Sequence, residues 1–172
     1  MPTLYAAKAV TQNEKQIPRQ ARNDKLVVRA FEPEDFEAAY RLDQACYPPG
    51  IAYSRYALEE FLSLPGARAW VAEEEDKPVA FVIARRLGAR GHIITLDVRE
   101  NQRRRGIGSR LLATAEDWLR ADGARIVRLE TAVDNEPAVA FWQKMGYREV
   151  GRLRGYYLGR LDALRMEKDL ST

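Results

Sequence analysis

The chain has 172 residues, of which 46% are hydrophobic and 31% charged, as in one ordinary globular domain that buries its core without cross-links. With 28 basic and 25 acidic residues its net charge is only +3, too balanced to argue for nucleic-acid binding. A single cysteine, Cys46, excludes an internal disulfide, and a single histidine, His92, leaves too few ligands for a Cys/His zinc site, so no metal is expected.

The first residues of the chain are polar and show no hydrophobic period. We interpret residues 1–24 as an extension and residues 25–172 as a single domain. Since no apolar run near the start is long enough for a signal peptide or a membrane helix, we expect a cytoplasmic protein that does not bind membranes.

The first half of the domain is predicted to hold two helices and four strands. Ser54 is an N-cap candidate for the second helix, and the turn EDKP between two later strands predicts an antiparallel hairpin. In chain order the segments are strand 25–31, helices 33–47 and 54–66, and strands 67–75, 77–87 and 91–98.

Two more helices and three more strands are predicted in the second half. The helix over 107–121 carries apolar residues on one face and is followed by Gly123, a natural stop. Asn135 is an N-cap candidate for the last helix. The segments after 107–121 are strand 124–133, helix 134–146, and strands 147–157 and 161–170, which gives the order β-α-α-β-β-β-α-β-α-β-β.

The stretch QRRRGIG, residues 102–108, lies between a strand and a helix start. The unpaired N–H groups and the dipole of a helix start attract anions. Gly106 and Gly108 allow a phosphate to approach the backbone closely, and the three arginines before them add charge-assisted contacts.

This stretch matches neither of the common phosphate-binding motifs. No Gly-Lys-Ser/Thr follows, so it is not a Walker A loop, and Leu111 stands where the dinucleotide fingerprint needs a third glycine. The residues by themselves leave two interpretations open, a pyrophosphate cradle and a helix-capping turn with solvated arginines.

Two segments carry a resemblance to a known family. Arg103-x-x-Gly106-x-Gly108 resembles the Q/R-x-x-G-x-G/A signature of the GNAT N-acetyltransferase superfamily, and residues 129–157 resemble its second signature, with a strand-end acid, an Asn, an aromatic helix and a Gly-Tyr. The end of the chain is similar to the ribosomal-protein-alanine (RimI-like) branch. The resemblance covers residues 26–170 and implies an α/β GNAT fold with a mixed, centrally splayed sheet of about seven strands flanked by about four helices.

The resemblance implies that the cofactor is acetyl-CoA, whose arm enters the splay and whose pyrophosphate lies on the loop and the helix start. Asn135 is expected to contact the arm, to cap its helix, or both. The backbone of Leu96, Asp97 and Val98 would bind the arm, and the phosphate loop would comprise Arg103, Arg104, Arg105, Gly106, Ile107, Gly108 and Ser109.

Two residues are candidate catalytic bases by the same resemblance, since acetyl transfer needs a neutral amine. Glu130 stands where the RimI-like branch carries its base; the alternative is a strand-end carboxylate paired with Arg128 or a neighbour. His92 is the second candidate, because an imidazole accepts protons near neutral pH; the alternative is an exposed histidine at a strand start. Strand alternation predicts that His92, Ile94, Leu96 and Val98 share one face.

Trp142 departs from the family pattern, which has a tyrosine there as proton donor to the leaving thiolate. An indole N–H can hydrogen-bond the cofactor sulfur but cannot act as an acid, so Trp142 is expected to be a cofactor contact. Tyr156 or Tyr157 could replace the acid, although the resemblance favours a groove-lining role for both.

The acceptor groove is expected to be aromatic, and its candidate residues are Tyr47, Tyr53, Tyr56, Tyr156 and Tyr157. The predicted function is acetyl-CoA-dependent N-acetyl transfer to a primary amine, a protein N-terminal α-amine before others, by a monomer or homodimer. The alternatives are a small-molecule amine acetyltransferase and a non-catalytic acyl-CoA-binding module.

Overall fold

The computed structural model describes residues 26–171, and the expected N-terminal extension lies outside them. Two short 3-10 turns, Pro33–Asp35 and Glu100–Gln102, precede the first helix and the arginine-rich loop. The other elements are β1 Val27–Ala30, α1 Phe36–Cys46, α2 Arg55–Ser63, β2 Ala67–Glu74, β3 Lys77–Leu87, β4 Arg90–Val98, α3 Ile107–Ala121, β5 Ile126–Ala132, α4 Glu136–Lys144, β6 Arg148–Tyr157 and β7 Leu161–Asp169.

The seven strands form one sheet in the order β1-β2-β3-β4-β5-β7-β6. Only the β4–β5 pair is parallel, and the hairpin predicted for β2 and β3 is antiparallel as expected. The α/β class, the element order and the seven-stranded sheet are therefore confirmed.

Helix ends follow local chemistry. Ser54 and Asn135 cap α2 and α4 as predicted, their side chains accepting the backbone N–H of Ala57 and Ala138. Helix α2 ends at Ser63, earlier than predicted, because the residue before Pro65 avoids the helical conformation. Within residues 26–171, no helix is both long and apolar enough to cross a membrane.

Each face of the sheet packs against one helix pair. Helices α3 and α4 cover what we call the α3 face, whose core includes Val82, Leu111, Leu119, Val127, Leu129 and Trp142. Helices α1 and α2 cover the α1 face over β2 and β3, with Phe36, Leu42, Leu58, Val71, Phe81 and Ile83 in its core. The candidate site lies between these two layers, where the central strands β4 and β5 are neighbours.

Candidate active site

Strands β4 and β5 separate in the middle of the sheet. They pair only where Arg90–His92 lie beside Ile126–Arg128, and beyond that point β4 continues to Val98 and β5 to Ala132 without pairing to each other. The facing backbone edges in this splay can hydrogen-bond an extended ligand arm that carries amide groups.

A β-bulge at Ile94 sets which side chains face the two layers. Ile93 pairs with Ala84 and Thr95 with Ile83, so Ile94 is the extra residue. As a result Ile94 packs with the α1-face core, whereas Leu96 and Val98 pack with the α3-face core. The prediction that His92, Ile94, Leu96 and Val98 share one face is therefore wrong.

The phosphate loop, residues 103–109, ends in an uncapped helix start. Gly106 is the N-cap of α3, in the left-handed conformation with φ 79°, and no side chain caps this helix, in contrast to α2 and α4. Ile107 is anchored in the core, while Gly108 lies against Phe141 and Val98. The first N–H groups of α3 are thus available to an anion, which suits the pyrophosphate expected here.

The three arginines of this loop have different surroundings. Arg105 makes a bidentate ion pair with Glu74 of β2, and the shorter of its two contacts is 2.8 Å. This ion pair holds the pKa of Glu74 below its usual value. Arg103 donates from Nε to the carbonyl of Val98 at 3.1 Å and from Nη2 to the Cys46 thiol at 3.5 Å.

Arg104 differs from both neighbours. Its backbone is in the left-handed region at φ 62°, which is uncommon for a residue with a side chain, and its side chain is exposed. Of the three arginines, it is the one whose guanidinium no residue of 26–171 holds by a hydrogen bond. It is therefore the arginine that can bind a ligand phosphate without first breaking a hydrogen bond to the described part of the chain.

His92 and Glu130 are brought together where the two strands part. Nε2 of His92 lies 2.7 Å from Oε2 of Glu130, and Arg165 of β7 donates to the other oxygen at 3.4 Å. Burial disfavours the charged form of Glu130, but the hydrogen bonds from His92 and Arg165 prevail and lower its pKa. The alternative to the base role pairs Glu130 with Arg128 or a neighbour; Arg128 pairs with Glu167, and the arginine beside Glu130 is Arg165.

Tyrosines surround this pair on the α1 face. The hydroxyl of Tyr53 donates to the carbonyl of Ile94 at 3.4 Å, and the rings of Tyr156 and Tyr157 meet edge to face. Burial raises the pKa of Tyr157 to about 12 and also raises that of Tyr156, which makes both poor acids and favours a groove-lining role. Tyr56 is 73% exposed.

Trp142 lies in the α3-face core and is 7% exposed. Its ring packs edge to face against Phe141 and Tyr147. The Tyr147 hydroxyl donates to Glu116 at 2.9 Å. Trp142 therefore packs against aromatic rings, one of which is held by a buried hydrogen bond. Asn135 caps α4, and a contact from it to the cofactor arm remains a prediction.

The sequence does not mark three side chains of this region. Arg165 lies in a terminal strand and Asp43 in a helix, each among other polar residues. The resemblance implies a role for the backbone of Asp97, whereas the structure buries its side chain on the α1 face. The one signal in the sequence is a carboxylate at a strand position where the spacing predicts an apolar residue.

Comparison with known proteins adds an independent observation. A model of the acetyltransferase (GNAT) family matches residues 36–147. N-alpha-acetyltransferase 30 of Schizosaccharomyces pombe is 32% identical over 118 residues, 66% of this chain and 79% of that protein. An N-alpha-acetyltransferase of Saccharolobus solfataricus is 27% identical over 158 residues, 84% of this chain and 93% of that one.

A solved structure has the same fold. The ribosomal-protein-S18-alanine N-acetyltransferase from Escherichia coli superposes with a TM-score of 0.77 at 24% identity, covering 86% of this chain and 96% of that chain. At this identity the likeness shows the fold alone.

Proposed function

The chain belongs to the acetyltransferase (GNAT) family, a family of acetyl-transferring enzymes that use acetyl-CoA, and from this premise we propose that its acceptor is the α-amine of a protein N-terminus. The relatives named N-alpha-acetyltransferases support this choice of acceptor. The observation that carries the proposal is the His92–Glu130 pair at the point where β4 and β5 separate.

The chain's residues fit the cofactor. The uncapped start of α3 and the Arg104 guanidinium, which no described residue holds, would bind the pyrophosphate. The open edge of β4 near Leu96 and Val98 would bind the amide arm. When bound, acetyl-CoA supplies an activated acyl group on a thioester.

The main task left to the protein is to remove a proton from the attacking amine. Because Glu130 is ionised, the proton on Nε2 of His92 points to it, which leaves Nδ1 as the acceptor. A carboxylate with a lowered pKa is itself a weak base, so we assign proton removal to His92 and the orientation and stabilisation of the imidazolium to Glu130.

The choice of an α-amine has a physical reason. Its pKa is about 7.7 to 8.0, whereas that of lysine is near 10.4, so an α-amine needs only mild help to become neutral at cellular pH. Tyr53, Tyr156 and Tyr157 offer aromatic walls and hydroxyls that suit a peptide backbone beside the amine.

Peptides that carry both a free N-terminus and an internal lysine test the proposal. We expect acetyl-CoA-dependent release of free thiol and a product acetylated at the α-amine by fragmentation mass spectrometry. The matched control is the same peptide with its α-amine blocked, which should not react. Acetylation of the lysine in the blocked peptide, or turnover with free small amines but no peptide, would contradict the proposal.

A further inference from the structure

Two carboxyl groups are buried beneath the segment that joins α1 and α2, residues 47–54, which we call the acceptor loop because it carries Tyr47 and Tyr53. Asp43 of α1 is 0% exposed and Asp97 of β4 is 1% exposed. The bulge at Ile94 turns the Asp97 side chain toward the α1 face, since Asp97 pairs with Phe81 of that core.

Asp43 holds the far end of the acceptor loop. Its Oδ2 accepts the backbone N–H of Tyr53 at 2.7 Å and the side-chain amide of Gln44 at 3.2 Å. The same Gln44 amide donates to the carbonyl of Tyr53 at 2.8 Å, so both backbone groups of Tyr53 are tied to α1. Oδ1 of Asp43 has no hydrogen-bond donor among the described residues.

Asp97 lies at the near end of the loop. Its Oδ1 accepts the Thr95 hydroxyl at 3.0 Å, and the neighbouring Tyr47 side chain favours the charged form of the same carboxylate. Oδ2 of Asp97 likewise lacks a donor within the described part of the chain. Asp43 therefore fastens one end of the acceptor loop, and Asp97 lies beside Tyr47 at the other end. Each carboxyl group keeps one buried oxygen without a donor among the described residues, which is costly for an ionised carboxylate.

The charges around the two carboxyl groups do not compensate for burial. The charge of Asp43 acts on Asp97, and among residues 26–171 Arg103 is the cation that acts on Asp97. The other described groups facing the two carboxyl groups are Gln44, Cys46, Tyr47, Tyr53 and Thr95. Burial raises the pKa of Asp43 to about 6, and burial with the charge of Asp43 raises that of Asp97 to about 7. Two buried like charges this poorly paired favour the uptake of a proton.

We propose that Asp43 and Asp97 are a positioning pair that takes up protons as pH falls and thereby holds the acceptor loop against β4. The proposal rests on the proposed function, because it treats this loop as a wall of the acceptor site. Each proton sits on an unsatisfied oxygen and turns it into a donor. When the protons are lost at higher pH, the burial of two poorly paired charges and their repulsion loosen the packing of the loop around Tyr53, and acceptor binding weakens.

Infrared difference spectroscopy tests the proton uptake directly. Between about pH 5 and about pH 9 the wild type should show protonated carboxylic acids that titrate near neutral pH. The band should weaken in Asp97→Asn and in Asp43→Asn, because each variant keeps only one of the two buried carboxyl groups, and it should disappear in the double variant. It should persist in Asp117→Asn, a control that removes a carboxylate 76% exposed on α3. Absence of the band from the wild type would overturn the proposal.

Kinetics test the positioning role. At each pH, the acceptor KM of the wild type is divided by the acceptor KM of Asp97→Asn, so that the ionisation of the amine cancels. We expect this ratio to rise with pH, in total by about tenfold for each unit by which acceptor binding raises the pKa of the pair. The acetyl-CoA KM should not change. A ratio independent of pH would show that Asp97 is merely structural.

Hydrogen exchange keeps the test decisive if a variant fails to fold. Protection of the amides of residues 47–54 in the wild type should fall as pH rises, while protection in α3 stays constant; uniform behaviour would contradict the proposal. If no peptide is acetylated at all, the proposed function fails, but the infrared band and the loop protection still decide on the carboxyl pair.

Discussion

His92 and Glu130 form a unit in which each residue sets the state of the other. The carboxylate fixes the tautomer of the ring at 2.7 Å, and the ring with Arg165 keeps the carboxylate ionised despite burial. Neither property follows from a single residue, and the two lie 38 positions apart in the chain. The sequence suggested both as separate candidates; their contact depends on the register of β4 with β5.

A substitution at Trp142 tests whether a side-chain proton donor to the leaving thiolate is needed. It is packed in the α3-face core, so we expect Trp142→Phe to lower the free energy of unfolding by about 1 to 3 kcal/mol while kcat changes less than about threefold. Thermal unfolding and steady-state kinetics with an N-terminal peptide measure both quantities. A loss of kcat by about a hundredfold with unchanged stability would instead make the indole N–H a catalytic donor.

Arg104 and Arg105 have the same charge but different surroundings. Because no described residue holds the Arg104 guanidinium, whereas Arg105 is paired with Glu74, Arg104→Ala should raise the acetyl-CoA KM by about tenfold, the scale of one lost charge-assisted contact. Arg105→Ala should raise it clearly less. Equal effects of the two substitutions would mean that Arg105 leaves Glu74 when the cofactor binds.

At the scale of elements, the anion site depends on the way α3 begins. The strand, loop and helix start were predictable, since glycines and periodicity mark them in the sequence. The bulge in β4 was not predictable, because Ile94 is as apolar as its neighbours and only pairing with β3 reveals the extra residue. For the same reason the face of Asp97 could not be assigned.

Gly106 and Gly108 offer a matched pair of substitutions in that element. Gly106 has φ 79°, so Gly106→Ala should cost about 1 to 2 kcal/mol of strain and raise the acetyl-CoA KM. Gly108→Ala places a Cβ 3.5 Å from Phe141 and Val98, an ordinary contact, and should leave stability nearly unchanged. Denaturant unfolding and cofactor titration of both variants measure this difference; equal destabilisation would contradict the assigned role of the left-handed turn.

For the whole molecule, the buried carboxyl pair links stability to pH. Both pKa values lie above the unfolded value of about 3.9, so the folded chain binds more protons than the unfolded chain between about pH 4 and about pH 7. The free energy of unfolding contributed by this pair therefore falls as pH rises through that window and is level above it.

Asp97→Asn removes one of the two charges and should flatten this dependence. We expect the variant to gain stability relative to the wild type on going from about pH 5 to about pH 8, by about 1 kcal/mol or more. Thermal unfolding at the two pH values measures the change, and Asp117→Asn is the control. A stability difference that is the same at both pH values would contradict the pKa values assigned to the pair.

The account depends most directly on His92 and Glu130 acting as one base, and a double-mutant cycle measures this. The variants are His92→Gln, Glu130→Gln and the double substitution, with kcat measured on one N-terminal peptide at saturating acetyl-CoA. We expect each single substitution to lower kcat by about a hundredfold or more and the double substitution to be no worse than either, because the residues act as a unit. Unchanged kcat in the single variants, or losses that multiply in the double variant, would contradict the assignment.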